Sequence, residues 1–134
     1  MSDLPYMPLW VSKYEARTAH LTFEEHGVYL ALLRLCWKTP GGTIPADDAW
    51  VRRQLRCDEK VYTRLVKPVL AEFFKVARRR YVNVPLKRIF DETAYKTAQR
   101  KAAGKIGGEA KARKRLEKRS GNAILMLEQN STIP

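Results

Sequence analysis

From Asp58 to Phe74 the apolar residues of this chain recur at helical spacing; from Phe74 to Val84 they do not. Val61, Tyr62, Leu65, Val66, Val69, Leu70 and Phe73 fall on one side of a helix, whereas Val76, Val82 and Val84 sit in two short β-prone runs separated by Ala77 to Arg80. A 3.6-residue period giving way to a two-residue one means that a helix must feed directly into a small hairpin. Asp58 is placed to cap that helix, which the spacing carries to about Phe74, and Lys60, Thr63, Arg64 and Lys67 occupy its other face. Pro68 lies inside the pattern and should kink or split the helix, because it has no N–H for the carbonyl of Arg64. The hairpin carries Arg78, Arg79 and Arg80 at its expected tip.

Upstream, residues 4–14 hold two prolines and three aromatics and read as an extended arm on the core. Thr22 and Glu25 form a capping box that opens the first firm helix. Phe23, Val28, Leu30, Leu32, Leu33, Leu35 and Trp37 make that helix apolar on much of its surface, so it should be central. Thr39-Pro40-Gly41-Gly42 stops it, and Thr43-Ile44 has room only for a very short strand. A second helix spans about Asp47 to Leu55, with Asp47 or Asp48 serving its first turn and Trp50, Val51 and Leu55 on its buried side.

After Pro85 a last helical stripe comprises Leu86, Ile89, Phe90, Thr93 and Ala94 and fades by Ala102-Ala103. Gly104, Gly107 and Gly108 each cost about 1 kcal/mol in a helix interior. Residues 109–119 are therefore expected to be disordered when free, or to form a helix on a partner. The organisation that follows is a domain over residues 1–95, a basic Gly/Ala/Lys/Arg segment over 96–119, and a polar tail over 120–134 with one apolar cluster, Ala123 to Leu127. The fold class is mainly α with a small β-hairpin. Its order of elements is that of a winged helix, a helix-turn-helix variant, followed by a C-terminal basic helix. In that architecture the third helix enters the major groove and the wing lies along the backbone or in a minor groove.

The charge is placed to match. Residues 1–74 carry 10 basic and 9 acidic side chains, whereas residues 75–119 carry 16 and 4, so the formal net charge of +12 resides in one stretch. Confined charge of this kind is an electrostatic footprint for a polyanion. Double-stranded DNA is the first candidate. An anionic membrane surface is second, but the stretch lacks the bulky apolar face of interfacial helices. The plainest alternative is a solvated basic tail, and exposed Lys and Arg on the third helix are equally compatible with a solvated face. The candidate DNA-binding residues are Lys60, Thr63, Arg64 and Lys67 on the helix, Arg78, Arg79 and Arg80 on the wing, and Arg100, Lys101, Lys105, Lys111, Arg113, Lys114 and Arg115 in the basic segment. Arg64 suits bidentate pairing with guanine and Thr63 suits a base edge or phosphate. If about six of the basic-segment cations met phosphates, affinity would fall with roughly the fifth to sixth power of salt concentration.

Other chemistries find little footing. His20, His26, Cys36 and Cys57 match no common zinc spacing, and Asp47-Asp48 read as helix caps in preference to a magnesium pair. No cofactor, metal or catalytic set is expected, and the glycines at 104, 107 and 108 form no phosphate loop. Trp10, Trp37 and Trp50 read as core or arm anchors. No apolar run reaches the ~18 residues of a membrane span, and the N-terminus has no secretion signal. The expected setting is cytoplasmic, beside the nucleoid.

The first 74 residues resemble a family of phage and prophage proteins called YdaU-like. The resemblance rests on Pro8-Leu9-Trp10, Tyr14, Thr18-Ala19-His20-Leu21-Thr22, Glu25, Gly27, Tyr29, Leu33, Trp37, Gly42, Ile44 to Asp48, and Val69 to Phe74; Gly104 to Arg113 also resembles the basic segment that follows this domain in the family. It departs at the wing, where the family often has His-x-Arg and this chain has Asn83-Val84-Pro85. The resemblance implies a mobile-element setting, since many members look like N-terminal domains of phage replication proteins. The expected function is thus a non-enzymatic DNA-binding protein acting in replication initiation or transcriptional regulation. The alternative is an adaptor whose winged helix is a scaffold for a replication or transcription protein, docked by residues 123–127 or the N-terminal arm. RNA is a weaker option, with only Tyr81 on the hairpin to stack on a base. A two-fold operator would require a homodimer, for which no heptad is evident.

Overall fold

The computed structural model describes the backbone of residues 4–131 and the side chains of residues 4–121. Two compact units divide the chain, Met1–Ala94 and Tyr95–Pro134. In the first, α1 (Val11–Thr18), α2 (Phe23–Lys38), β1 (Ile44–Pro45) and α3 (Asp48–Leu55) are followed by a continuous helical run: α4 (Glu59–Val61), a π turn (Tyr62–Val66) and α5 (Lys67–Phe73). Then come β2 (Lys75–Ala77), β3 (Arg80–Val82) and α6 (Val84–Ser131), which supplies its first turns to this unit.

The local signals act as their chemistry dictates. The Thr22 hydroxyl accepts from the Glu25 amide at 3.2 Å and the Glu25 carboxylate accepts from the Thr22 amide at 3.0 Å, closing the capping box of α2. Asp47 caps α3, accepting from Ala49 and Trp50, and Asp58 caps α4, accepting from Val61 at 2.8 Å. Pro68 leaves its trace one turn upstream. The chain relaxes into five π-helical residues, Tyr62–Val66, and the Lys67 amide donates to the Tyr62 carbonyl five residues back. The helix therefore widens and continues past the proline without splitting.

The core is built around α2. Leu32 and Cys36 are fully buried, and Tyr29, Leu33, Leu35 and Trp37 nearly so, against Ile44, Val51, Val66, Val69, Leu86 and Phe90. Each large apolar side chain so buried contributes about 1.5–3 kcal/mol. Phe23, expected in this cluster, is 96% exposed; it is the first residue of α2, where the capping box, not burial, fixes the backbone. β1 joins the hairpin to give a three-stranded antiparallel sheet, order β1-β3-β2, with Tyr81 opposite both Ile44 and Val76. Pro45 is tolerated because β1 is an edge strand. Gly42 turns the chain into β1 at φ +74°, and a Cβ there would stand 2.6 Å from the Phe90 ring, so side-chain-free backbone lies directly on that aromatic.

Asn83 joins three elements at 3% exposure. Its Oδ1 accepts from the Leu86 amide at 3.1 Å to start α6, and its Nδ2 donates to the Phe73 carbonyl at 3.1 Å and to the Tyr29 hydroxyl at 3.4 Å.

The reading of the N-terminal arm requires correction. The extended arm ends at Trp10, because Val11–Thr18 is helical: Tyr14 is half-buried against Tyr29 and His26, and fully buried Thr18 bonds to the Tyr14 carbonyl at 2.7 Å. The remaining arm is tied by Leu4, whose carbonyl accepts from the Trp37 indole at 2.9 Å. The second unit is the remainder of α6. α6 passes through Gly104, Gly107 and Gly108, exposed on nearly every side. Glycine weakens a helix without removing any backbone hydrogen bond, so charged neighbours of good helix propensity can carry it. The side chains of the Ala123 to Leu127 cluster lie outside the described residues. Among the described residues no helix is long and apolar enough to cross a membrane.

Candidate nucleic-acid interface

At the hairpin, Ala77 pairs with Arg80, which leaves Arg78-Arg79 as a two-residue loop. Their φ values are +52° and +62°. Positive φ at both loop positions defines a type I′ turn, whose twist matches that of the strands and which strongly prefers Asn-Gly. A non-glycine residue held there costs roughly 1–2 kcal/mol. Arg56, at the C-terminus of α3, has φ +56° and is the third such case; among the described residues every non-glycine left-handed position is an arginine. Arg78 and Arg79 are exposed. Arg80 is not at the tip, as the sequence suggested. It lies in β3 with its guanidinium turned to the loop before β1, donating to Thr43 Oγ1 at 3.0 Å and to the Thr43 carbonyl at 2.7 Å.

On the helix, Lys60, Thr63, Arg64 and Lys67 are all exposed, and the first three line a shallow concavity with Glu59. Arg64 pairs with Glu24 at 3.4 Å and Lys67 with Asp48 at 3.2 Å. Exposed pairs of this kind contribute about 0.2–1 kcal/mol, so a phosphate can displace them. Asp48 does more than serve the first turn of α3. Its Oδ1 accepts from the Tyr62 hydroxyl at 2.6 Å and from the Tyr81 hydroxyl at 2.7 Å. The two hydroxyls, with help from Lys67, hold its carboxyl below the usual range against the opposing effect of burial. Burial first, then the bond to Asp48, raises the Tyr62 phenol and pushes that of Tyr81 up to about 12. Both tyrosines remain donors at neutral pH, and the cluster locks the basic helix face to β3. The Ala46 amide, two residues before Asp48, donates to the Arg79 carbonyl at 2.9 Å.

The second unit orders its cations by helical period. Lys96, Arg100, Gly104, Gly107, Lys111, Lys114 and Lys118 recur at three- and four-residue steps and share a face, widened by Lys101, Arg115 and Arg119. Ala98, Ala102, Ile106, Glu109, Ala110, Arg113 and Glu117 follow the other side. Arg113 thus stands apart from Arg100, Lys111 and Lys114, beside both acidic residues of this stretch, and Lys105 lies at the margin of the basic face.

The histidines are engaged elsewhere. His20 bonds to Glu72, 52 residues away, and stacks near Phe73. His26 Nδ1 lies 2.8 Å from the Tyr14 hydroxyl. Among the described residues no three His, Cys, Asp or Glu side chains converge as a metal site would need. Sequence reasoning missed Arg56, whose left-handed backbone only the Leu55-Arg56-Cys57 helix end hinted at, and a groove beside Trp10, an exposed residue expected to be an anchor.

A family model described as a protein of unknown function, DUF1376, matches residues 5–91. The chain belongs to this family. It is similar to the uncharacterized protein YdaU of Escherichia coli (strain K12), with 33% identity over 111 residues. That alignment covers 83% of this chain and 38% of the relative, so the chain spans well under half of the relative's length. No solved structure matches. The family match takes in α1 through the first turns of α6, and so includes the helix face, the Asp48 cluster and the hairpin.

Proposed function

We propose that the chain is a winged-helix protein that binds double-stranded DNA, with the α4–α5 run as its recognition helix and the β2–β3 hairpin as its wing. The observation that carries this reading is the Arg78-Arg79 turn. Glycine and asparagine would adopt that turn with less strain, and strained positions of this kind persist where they serve a site. Two exposed guanidinium groups at a hairpin tip suit phosphates or a narrow minor groove. The order of helices, short strand, helices and hairpin supports the architecture, and the Asp48 cluster supports a fixed spacing between the two contact elements. The basic face of α6 adds phosphate contacts, and its glycines allow a close approach of the backbone.

The test is fluorescence anisotropy of the full chain on random duplex DNA and on duplex from its own locus, across a salt series. The expected result is a steep salt dependence, with a preference for the chain's own locus that persists at physiological salt. Arg64→Ala should reduce that preference by roughly 1–3 kcal/mol at one base position. Equal losses on specific and random duplex would remove Arg64 from base reading, and absence of duplex binding would overturn the proposal.

A further inference from the structure

A groove of about 250 Å³ runs between the residues before and within α1 and the start of α6. Tyr14, Leu33, Leu86 and Ile89 are among its lining, with Leu33 and Leu86 deeply buried and Leu9 and Trp10, both about half exposed, at its lip. Lys13, Arg17 and Arg88 stand around it against one carboxylate, Glu92. Neither Arg17 nor Arg88 is in an ion pair with a carboxylate among the described residues. We propose that this groove docks an acidic peptide segment of a partner protein, which inserts one large apolar side chain between α1 and α6 and sets its carboxylates on Arg17 and Arg88.

The choice of occupant follows from the chemistry. An apolar floor under a cationic rim complements a chain that is apolar at its anchor and acidic beside it. A nucleic-acid backbone would satisfy the rim and leave the floor uncovered. Base stacking on Trp10 is hindered because the Lys13 ammonium already lies 4.2 Å from the centre of that ring. A second copy of this chain, with 26 basic against 14 acidic side chains, is a poorer electrostatic match for a cationic rim. The groove shares no residue with the helix face or hairpin assigned to DNA, so this inference stands or falls separately from that reading.

The experiment is a selection of random dodecapeptides on the immobilised full chain, counter-selected on the Arg17→Glu/Arg88→Glu double variant so that peptides held by the basic helix are discarded. The expected result is enrichment of sequences with several acidic residues around one large apolar residue. A synthetic peptide of the leading sequence should bind at least tenfold more weakly to the double variant, and at least tenfold more weakly when its apolar residue becomes serine. Arg79→Ala should leave that binding unchanged. Should charge reversal disturb the fold by circular dichroism, the exposed Trp10→Ser supplies the counter-selection. Failure to enrich, indifference to the apolar residue, or displacement of the peptide by a twelve-residue oligothymidine with the same dependence on Arg17 and Arg88 would each overturn the proposal.

Discussion

The Tyr81 hydroxyl donates to Asp48 Oδ1 at 2.7 Å, joining the middle strand of the sheet to the first residue of α3. The same oxygen accepts from Tyr62, and Lys67 approaches the other oxygen, so one carboxylate holds three elements. Asp48→Asn removes the charge that strengthens these bonds. The expected destabilisation is about 1–2 kcal/mol at pH 7, small because the site is partly exposed. A carboxyl whose pKa is lowered on folding contributes stability that is fully present above its ordinary value of 3.8 and is lost as pH falls through the lowered value. Urea unfolding of both proteins should therefore show a gap at pH 7 that narrows as pH falls below 3.8. A gap that does not narrow would place the effect in packing.

Two glycine substitutions should act in opposite directions. Gly42→Ala puts a methyl group 2.6 Å from the Phe90 ring on a backbone at φ +74°, and should cost at least about 2 kcal/mol in thermal or urea unfolding. A Cβ at Gly104 meets nothing within 4 Å, and Gly104→Ala should strengthen α6 locally by about 1 kcal/mol, read as increased helicity in far-ultraviolet circular dichroism.

Loss of the Asn83 side chain removes a helix cap and leaves two backbone groups without their partner. Asn83→Ala should cost about 2–4 kcal/mol, since the Leu86 amide loses its acceptor and the Phe73 carbonyl its donor. Asn83→Asp keeps the cap but buries a charge against the Phe73 carbonyl, and should recover little of that loss in a urea titration.

What the sequence made legible was local. Thr22 with Glu25, Asp58 before Glu59, the stop at Gly41-Gly42 and the change of period at Phe74 all act within a few residues, and each stands in the structure where its chemistry puts it. Pro68 gave the position of a disturbance but not its form, because a proline's missing donor can be absorbed by a kink, a break or the π turn found here. The partners of Asp48, 14 and 33 residues away, and of His20, 52 residues away, depend on the tertiary arrangement and leave no local mark. α1 was missed for a related reason: it has no side-chain cap, and its inward residues, half-buried Tyr14 and buried Thr18, look like an isolated pair until α2 lies beneath them. At the candidate site the exposed helix cations were readable from spacing. The division of the three hairpin arginines into two at the turn and one bonded to Thr43 required the strand register.

That division gives the most direct test of the wing. Replacing the turn by its preferred sequence, Arg78→Asn with Arg79→Gly, relieves left-handed strain at both positions. The double variant should be more stable by about 1–2 kcal/mol in urea. Its duplex DNA affinity should nevertheless fall on all sequences alike, with the salt slope reduced by about one to two. Arg80→Ala should do the reverse, losing about 1–2 kcal/mol of stability with its bonds to Thr43 while leaving the salt slope nearly unchanged. If the stabilised double variant bound DNA as tightly as the parent chain, the strained arginines would serve some other partner, and the wing would lose its part in the DNA contact.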